Sequence, residues 1–328
     1  MVDSVLMKIR NSRHANVVGL IGENPSTYSK SRIMWNSVFR FFNIDAEYIP
    51  CDIPDKTKLE FFFTSAIKDP KLRGFNVTIP YKEAVKSLSE QIGASVDEEV
   101  KINGGMNTFV NSIHKPEAYT TDGYGALRAM EKEAGVKSFN GKRILVLGTG
   151  GAGCAIATSA LSAGAEVNIA NRTFSKAEEL VKRVMASKIR NKRLHAYPLY
   201  DERGQLSGNI KTLMHDCDAI VNTISPPKTG GAEIIPFSFY PDQQKIFMDI
   251  VYGDHYNNIF LCNAEKKNCQ TVSGENMLIY QAAKGFELMF LGQHPQEKAE
   301  AVMKHAIINL RFDASEEEIL KNLKTLQL

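Results

Sequence analysis

The sequence predicts an α/β protein of two domains, and three observations carry that prediction. At 328 residues the chain is long enough to bury two cores. Short apolar runs alternate with helix-length amphipathic stretches, the rhythm of βαβ units and a parallel sheet. From Ile144 to Gly153 the chain reads ILVLGTGGAG, a strand-like apolar run that ends in four glycines within six positions.

In chain order, NVVGLIG (16–22), AEYIPCD (46–52) and GFNVTIP (74–80) are strand-length apolar segments. Helix-length stretches SRIMWNSVFRFFN and KTKLEFFFTSAIKD lie between them. The middle of the chain offers four more strands, RILVLG, EVNIANR, DAIVNTI and KIFMDIV, separated by helical stretches such as CAIATSALSAG and SKAEELVKRVMASK. After Gly274 the pattern turns helical, with MLIYQAAKGFELMF, EKAEAVMKHAIINL and SEEEILKNLKTLQL, and the tail is expected to pack back on the protein.

Composition excludes several classes. Apolar residues make up 43% and charged residues 23%, as in ordinary globular proteins, and no apolar run approaches the roughly 20 residues of a membrane span. The N-terminal segment lacks the apolar stretch of a signal peptide, so a cytoplasmic protein is expected. Five scattered cysteines without a C-x-x-C pair point away from disulfides and from a metal site. A net charge of +3 without a basic run interleaved with aromatics makes nucleic acid a poor partner. The basic segment 188–197 suggests no function.

The glycines of Gly148-x-Gly150-x-x-Gly153, together with Gly151 and Ala152, stand between a predicted strand and a predicted helix. There they allow a tight turn, let a pyrophosphate approach the backbone, and permit close helix packing. An NAD site places an acid after the next strand, to hold the ribose 2′-hydroxyl. This chain offers Asn171, Arg172, Thr173 and, one turn on, Lys176. A guanidinium matches phosphate oxygens bidentately, so NADP is the expected cofactor.

GFNVTIPYKEAV, GGMNTF, TTDGYG, GTGGAG, NRTFSKAEEL, DAIVNT and GENMLIYQAAKGFELMFLG together resemble the shikimate dehydrogenase family, in order over nearly the whole chain. The resemblance implies an NADP-linked oxidoreductase that interconverts 3-dehydroshikimate and shikimate. It implies an N-terminal α/β substrate domain over 1–121, a Rossmann-type doubly wound NADP domain over 122–273, and C-terminal helices over 274–328 returning to the first domain. Carried over residue by residue, it makes Lys82 and Asp122 the catalytic pair. Ser29 and Ser31 would bind the substrate carboxylate, and Asn76, Thr78, Asn107 and Thr121 the ring hydroxyls. Tyr252 and Gln281 would complete the pocket, and Gly274 would join the cofactor-binding set.

The proposed pair makes chemical sense, because oxidising a secondary alcohol requires a group that takes the hydroxyl proton as hydride leaves. A neighbouring carboxylate anchors an ammonium but also favours its protonated form, so proton transfer and mere orientation of the hydroxyl both stay open. Departures from the family pattern fall near the substrate residues, at Tyr28, Arg32, Trp35 and Thr120, and at 224–231 and 253–258. They keep a related cyclic hydroxy acid, such as quinate or an amino analogue of shikimate, as an alternative substrate. A non-catalytic NADP-binding sensor is a further alternative, against which the retention of Lys82 and Asp122 weighs. Monomer and homodimer are both compatible with the sequence.

Overall fold

The computed structural model describes residues 2–112, 114–224, 235–242, 244–252, 258–311 and 314–323. The chain divides into two compact units, Met1–Thr121 with Gln281–Leu328, and Asp122–Tyr280. Most of segments 224–231 and 253–258 lies outside the described residues.

The first unit opens with α1 (Val2–Arg10), β1 (Asn16–Gly22), α2 (Ser31–Phe41), β2 (Ala46–Asp52), α3 (Leu59–Ala66) and β3 (Leu72–Val77). It continues with α4 (Lys82–Gln91), β4 (Ser95–Val96), α5 (Glu98–Asn103), β5 (Thr108–Val110) and β6 (Glu117–Tyr119). The strand order is β2-β1-β3-β5-β6-β4. β1 pairs in parallel with β2 and β3, as a βαβ rhythm requires, but β5 is antiparallel to β3 and β6. No helix separates β5 from β6, and a short connection can only return the chain antiparallel. Pro50 is accommodated because β2 is an edge strand. Phe62, Phe63, Phe75 and Phe109 pack with Val17 and Ile21 in the core. Val2, Val5, Leu6 and Ile9 of α1 bury one helical face against the same core, a spacing that the sequence reading had not used.

The second unit comprises α6 (Asp122–Ala134), β7 (Arg143–Leu147), α7 (Gly151–Ser162), β8 (Glu166–Asn171), α8 (Phe174–Ala186) and β9 (Leu194–Pro198). Then follow α9 (Gly208–Asp216), β10 (Ala219–Asn222), β11 (Ile246–Asp249), α10 (Ile259–Lys266), β12 (Gln270–Ser273) and the start of α11 (Gly274–Met289). All six strands are parallel in the order β9-β8-β7-β10-β11-β12, the doubly wound arrangement with β7 first at the centre. Ile144 to Leu147 are fully buried, which explains why β7 reads as a continuous apolar run. The boundary between the units falls inside α11.

The tail does pack back. α12 (Gln296–Arg311) and α13 (Glu316–Asn322) belong to the first unit, where Ala306 and Ile319 close on Ile33 of α2. The basic segment has a structural use as well. Asn191 Nδ2 donates to the carbonyls of Leu161 and Ala165, and Arg193 Nη2 to that of Gly164, at 2.8 Å. Lys192 Nζ donates to the carbonyls of Val184 and Ser187. These donors satisfy carbonyls left over where α7 and α8 end.

Candidate active site

The glycine turn of the second unit gives each glycine a different reason. Gly148 ends β7 at φ +105°, a left-handed conformation that side chains resist. At Gly153 a Cβ would lie 2.2 Å from the carbonyl oxygen of Gly148, so this glycine is required for helix and strand to meet. At Gly150 and Gly151 a Cβ would meet nothing within 4 Å. Gly150 is also the N-cap of α7 and supplies no side-chain cap, and the first turn carries no acid. The leading amides of α7, in a turn stripped of side chains, fit a pyrophosphate.

Asn171 ties this turn to the next one. Its Oδ1 accepts from the Thr149 amide at 3.3 Å, and its Nδ2 donates to the Thr173 carbonyl at 2.9 Å. Thr173 is the N-cap of α8, again without a side-chain cap and with no acid in the first turn. Arg172 and Lys176 are exposed beside it. A 2′-phosphate would find two cations and a helix N-terminus there, and no carboxylate in the first turn of α8 to repel it. At Gly274 a Cβ would lie 2.2 Å from the Ile250 carbonyl oxygen, so the start of α11 needs glycine for packing. Tyr252 follows β11 and is half exposed.

In the first unit the candidate substrate residues are joined by a buried hydrogen-bond network. Asn107 is 4% exposed and Thr121 1%. Asn107 Oδ1 accepts from the Thr121 amide at 2.9 Å and from Thr108 Oγ1 at 3.0 Å. Its Nδ2 donates to Thr121 Oγ1 at 3.0 Å and to Gln281 Oε1 at 3.2 Å. Thr121 Oγ1 donates to the same Gln281 oxygen at 3.1 Å, which fixes how that amide is turned. Asn76 Oδ1 accepts from the Tyr48 hydroxyl at 3.0 Å, while its Nδ2 makes only long contacts of 3.4 Å to the Asn107 carbonyl and Thr108 Oγ1. Asn76 therefore offers a donor held in orientation by Tyr48. Burial pushes the Tyr48 phenol far above its ordinary pKa, so it stays protonated and keeps donating.

Ser31 is the buried first residue of α2 and is hydrogen-bonded to Tyr48; its amide donates to Ser29 Oγ at 3.2 Å. The departures near these serines resolve differently. Trp35 is fully buried and stacks on Tyr48 at 5.2 Å, so it supports the network from the core and does not line a pocket. Arg32 is exposed and faces Glu316 of α13 at 3.6 Å. Tyr28 is exposed, yet its hydroxyl is hydrogen-bonded to Thr78, and partial burial raises its pKa. Thr120, in place of the family's asparagine, leads directly into the buried Thr121.

A family model described as the shikimate dehydrogenase substrate binding domain matches residues 20–109, and one described as shikimate / quinate 5-dehydrogenase matches 130–202. A curated shikimate dehydrogenase (NADP(+)) from Pyrococcus furiosus is 35% identical over 272 residues, 83% of this chain and 89% of the relative. The chain belongs to the shikimate dehydrogenase family. A crystal structure of a shikimate dehydrogenase in complex with NADP+ is 30% identical, with a TM-score of 0.71 over 90% of this chain and 95% of that one. The shikimate 5-dehydrogenase of Listeria monocytogenes, solved with shikimate and NAD, is 25% identical, with a TM-score of 0.74 over 90% of this chain and 98% of that one.

In this shikimate dehydrogenase family member, Lys82 is the half-buried first residue of α4, reached from Thr78 through a cis Ile79–Pro80 bond. A Cβ on Gly105 would lie 3.3 Å from Lys82 Cβ, so GGMNTF brings a bare backbone beside the lysine. Asp122, only 8% exposed, follows Thr121 and opens α6. Sequence reasoning missed Tyr48, Thr108 and Gly285. The signal for Tyr48 was a lone aromatic hydroxyl in an apolar strand, which needs a partner once buried. Gly285 lets α11 come within 3.4 Å of Asn76 Nδ2 and Trp35, as measured from a Cβ built on it. Among the described residues, no group of histidine, cysteine, aspartate and glutamate is placed to hold a metal ion, and no helix is long and apolar enough to cross a membrane.

Proposed function

We propose that the protein is an NADP-dependent shikimate dehydrogenase that catalyses reversible hydride transfer between NADP(H) and 3-dehydroshikimate/shikimate. The observation that carries this reading is 35% identity to a relative named for that activity, over 89% of its length. The residues agree with it. NADP+, when bound, supplies the hydride acceptor. Gly150 and Gly151 admit its pyrophosphate, and Arg172, Thr173 and Lys176 receive the 2′-phosphate.

Ser29 and Ser31 hold the substrate carboxylate by hydroxyl donation. Asn76, Thr78, Asn107, Thr121 and Gln281 orient the ring hydroxyls, with Asn107 acting chiefly by holding Thr121 and Gln281 in place. Tyr252 completes the substrate site. Lys82 contacts the reacting hydroxyl and manages its proton, and Asp122 is the second member of the catalytic pair. Most of the proposed substrate residues thus belong to the first unit, with Asp122 and Tyr252 added from the second, and the proposed cofactor residues all belong to the second. Quinate or an amino analogue as main substrate, and a sensor without activity, are less well supported by the named relatives. Five free cysteines suit a reduced, cytoplasmic setting.

Initial rates of NADP+ and NAD+ reduction with shikimate, quinate and shikimate methyl ester test this reading. The highest kcat/KM is expected for shikimate with NADP+, and the ester should be poor. Faster turnover of quinate would move the substrate assignment, and no reduction with any acid would favour the sensor.

A further inference from the structure

The helix α13 meets α2 of the first unit through Glu316 and through Ile319, and the Glu316 contact is chemically specific. Ser31 begins α2, where Lys30 supplies no side-chain cap and no acid stands in the first turn, so the local hold on the serine is its amide bond to Ser29 Oγ at 3.2 Å. Its position is set by what holds α2. Glu316 divides its carboxylate between two residues four apart on one face of α2. Oε2 lies 3.6 Å from Arg32 Nη2, and Oε1 accepts from Asn36 Nδ2 at 3.4 Å. Asn36 Oδ1 in turn accepts the Tyr48 amide at 3.0 Å. The Tyr48 hydroxyl then meets both Ser31 and Asn76. Glu316 is itself well placed, because Ser315 and Glu318 form a capping box at the start of α13 and Ile319 is buried against Ile33.

We infer that Glu316 is a positioning residue for the substrate carboxylate: through Asn36 and Arg32 it holds α2 in register with Tyr48, and so sets where Ser31 stands. This rests on the proposed carboxylate role of Ser29 and Ser31. It also gives Arg32 a use, as the partner of a tail carboxylate rather than a ligand of the substrate. The acceptor at Asn36 matters more than the charge at Arg32, because an ion pair this exposed is weak.

Steady-state kinetics of the full chain with shikimate and NADP+ test it. Glu316→Ala should raise the shikimate KM by roughly two- to fivefold, with kcat and the NADP+ KM unchanged. Glu316→Gln keeps an acceptor for Asn36 and should restore most of the lost affinity. Ser31→Ala serves as the reference and should raise the same KM. If Ser31→Ala raises the KM and Glu316→Ala does not, the positioning role is wrong while the carboxylate site stands. If neither raises it, the carboxylate reading falls and this inference with it. A joint loss of kcat, NADP+ affinity and thermal stability in Glu316→Ala would make the residue merely structural and overturn the inference.

Discussion

The two units gather their candidate residues from different materials. In Asp122–Tyr280 the cofactor residues are backbone and helix termini: a left-handed Gly148, two glycines with open space, an uncapped α7 and exposed cations before α8. In the other unit the candidate substrate residues are buried or half-buried side chains, several of them oriented by a neighbour: Asn76 by Tyr48, and Thr121 and Gln281 by Asn107. A backbone site tolerates loss of an exposed side chain but not an added Cβ. A side-chain network reverses that, since removing one member leaves its buried partners unsatisfied.

The largest effect is expected at Gly153. Gly153→Ala places a Cβ 2.2 Å from the Gly148 carbonyl oxygen and should cost about 3 kcal/mol or more, lowering the melting temperature by several degrees. Gly150→Ala, at φ −69° and with open space around it, should melt like wild type while binding NADP+ more weakly. Equal melting temperatures for the two variants would show that the glycines are interchangeable, against the geometry.

Arg172→Ala should weaken NADP+ binding by about tenfold to a hundredfold, the worth of a charge-assisted contact, and leave NAD+ almost unaffected. Titration calorimetry with both cofactors decides this, and equal losses would mean that Arg172 does not read the 2′-phosphate. Asn107→Ala should cost about 1–3 kcal/mol of stability, because it strands the Thr121 amide and the Thr108 hydroxyl, and should raise the shikimate KM as well. Chemical denaturation together with kinetics measures both effects; an unaffected KM would detach the network from the substrate.

The smallest effect expected lies outside both sites, at the α13 cap. Hydrogen bonds from the Ser315 hydroxyl and amide hold the Glu318 carboxyl below its ordinary pKa. A depressed carboxyl stabilises the fold above its unfolded pKa, and that contribution is lost as pH falls through the folded value. Ser315→Ala should therefore lower the melting temperature slightly at neutral pH, and the difference from wild type should shrink in acid. A difference that grows in acid would contradict the linkage.

The same contrast governs what was legible in the sequence. Gly148, Gly150 and Gly153 could be found because a backbone site leaves its mark as spacing, and β7 could be found because a strand buried on both faces is apolar throughout. Lys82, Ser29 and Asn76 carry no such mark; they were reached only through resemblance, since a lysine or a serine alone reads as surface or turn. Tyr48 and Asn36 stayed invisible because their partners lie far off in sequence: Asn36 meets Glu316 across 280 positions. Arg32 and Trp35 read in sequence as a remodelled pocket, because adjacency in the chain does not distinguish adjacency to a ligand from adjacency to the core. On a helix, those three positions of separation lead to a solvent-facing ion pair and to a fully buried ring.

On the proposed reading, Lys82 of the first unit handles the proton of the reacting hydroxyl, and residues of the second unit hold the cofactor. Turnover of Lys82→Ala, measured beside its NADP+ dissociation constant, separates the two roles. Turnover should fall by about 10²–10⁴-fold, the range of a general acid–base group, with the dissociation constant unchanged. Near wild-type turnover, or a dissociation constant that rises in step with the loss of rate, would contradict it.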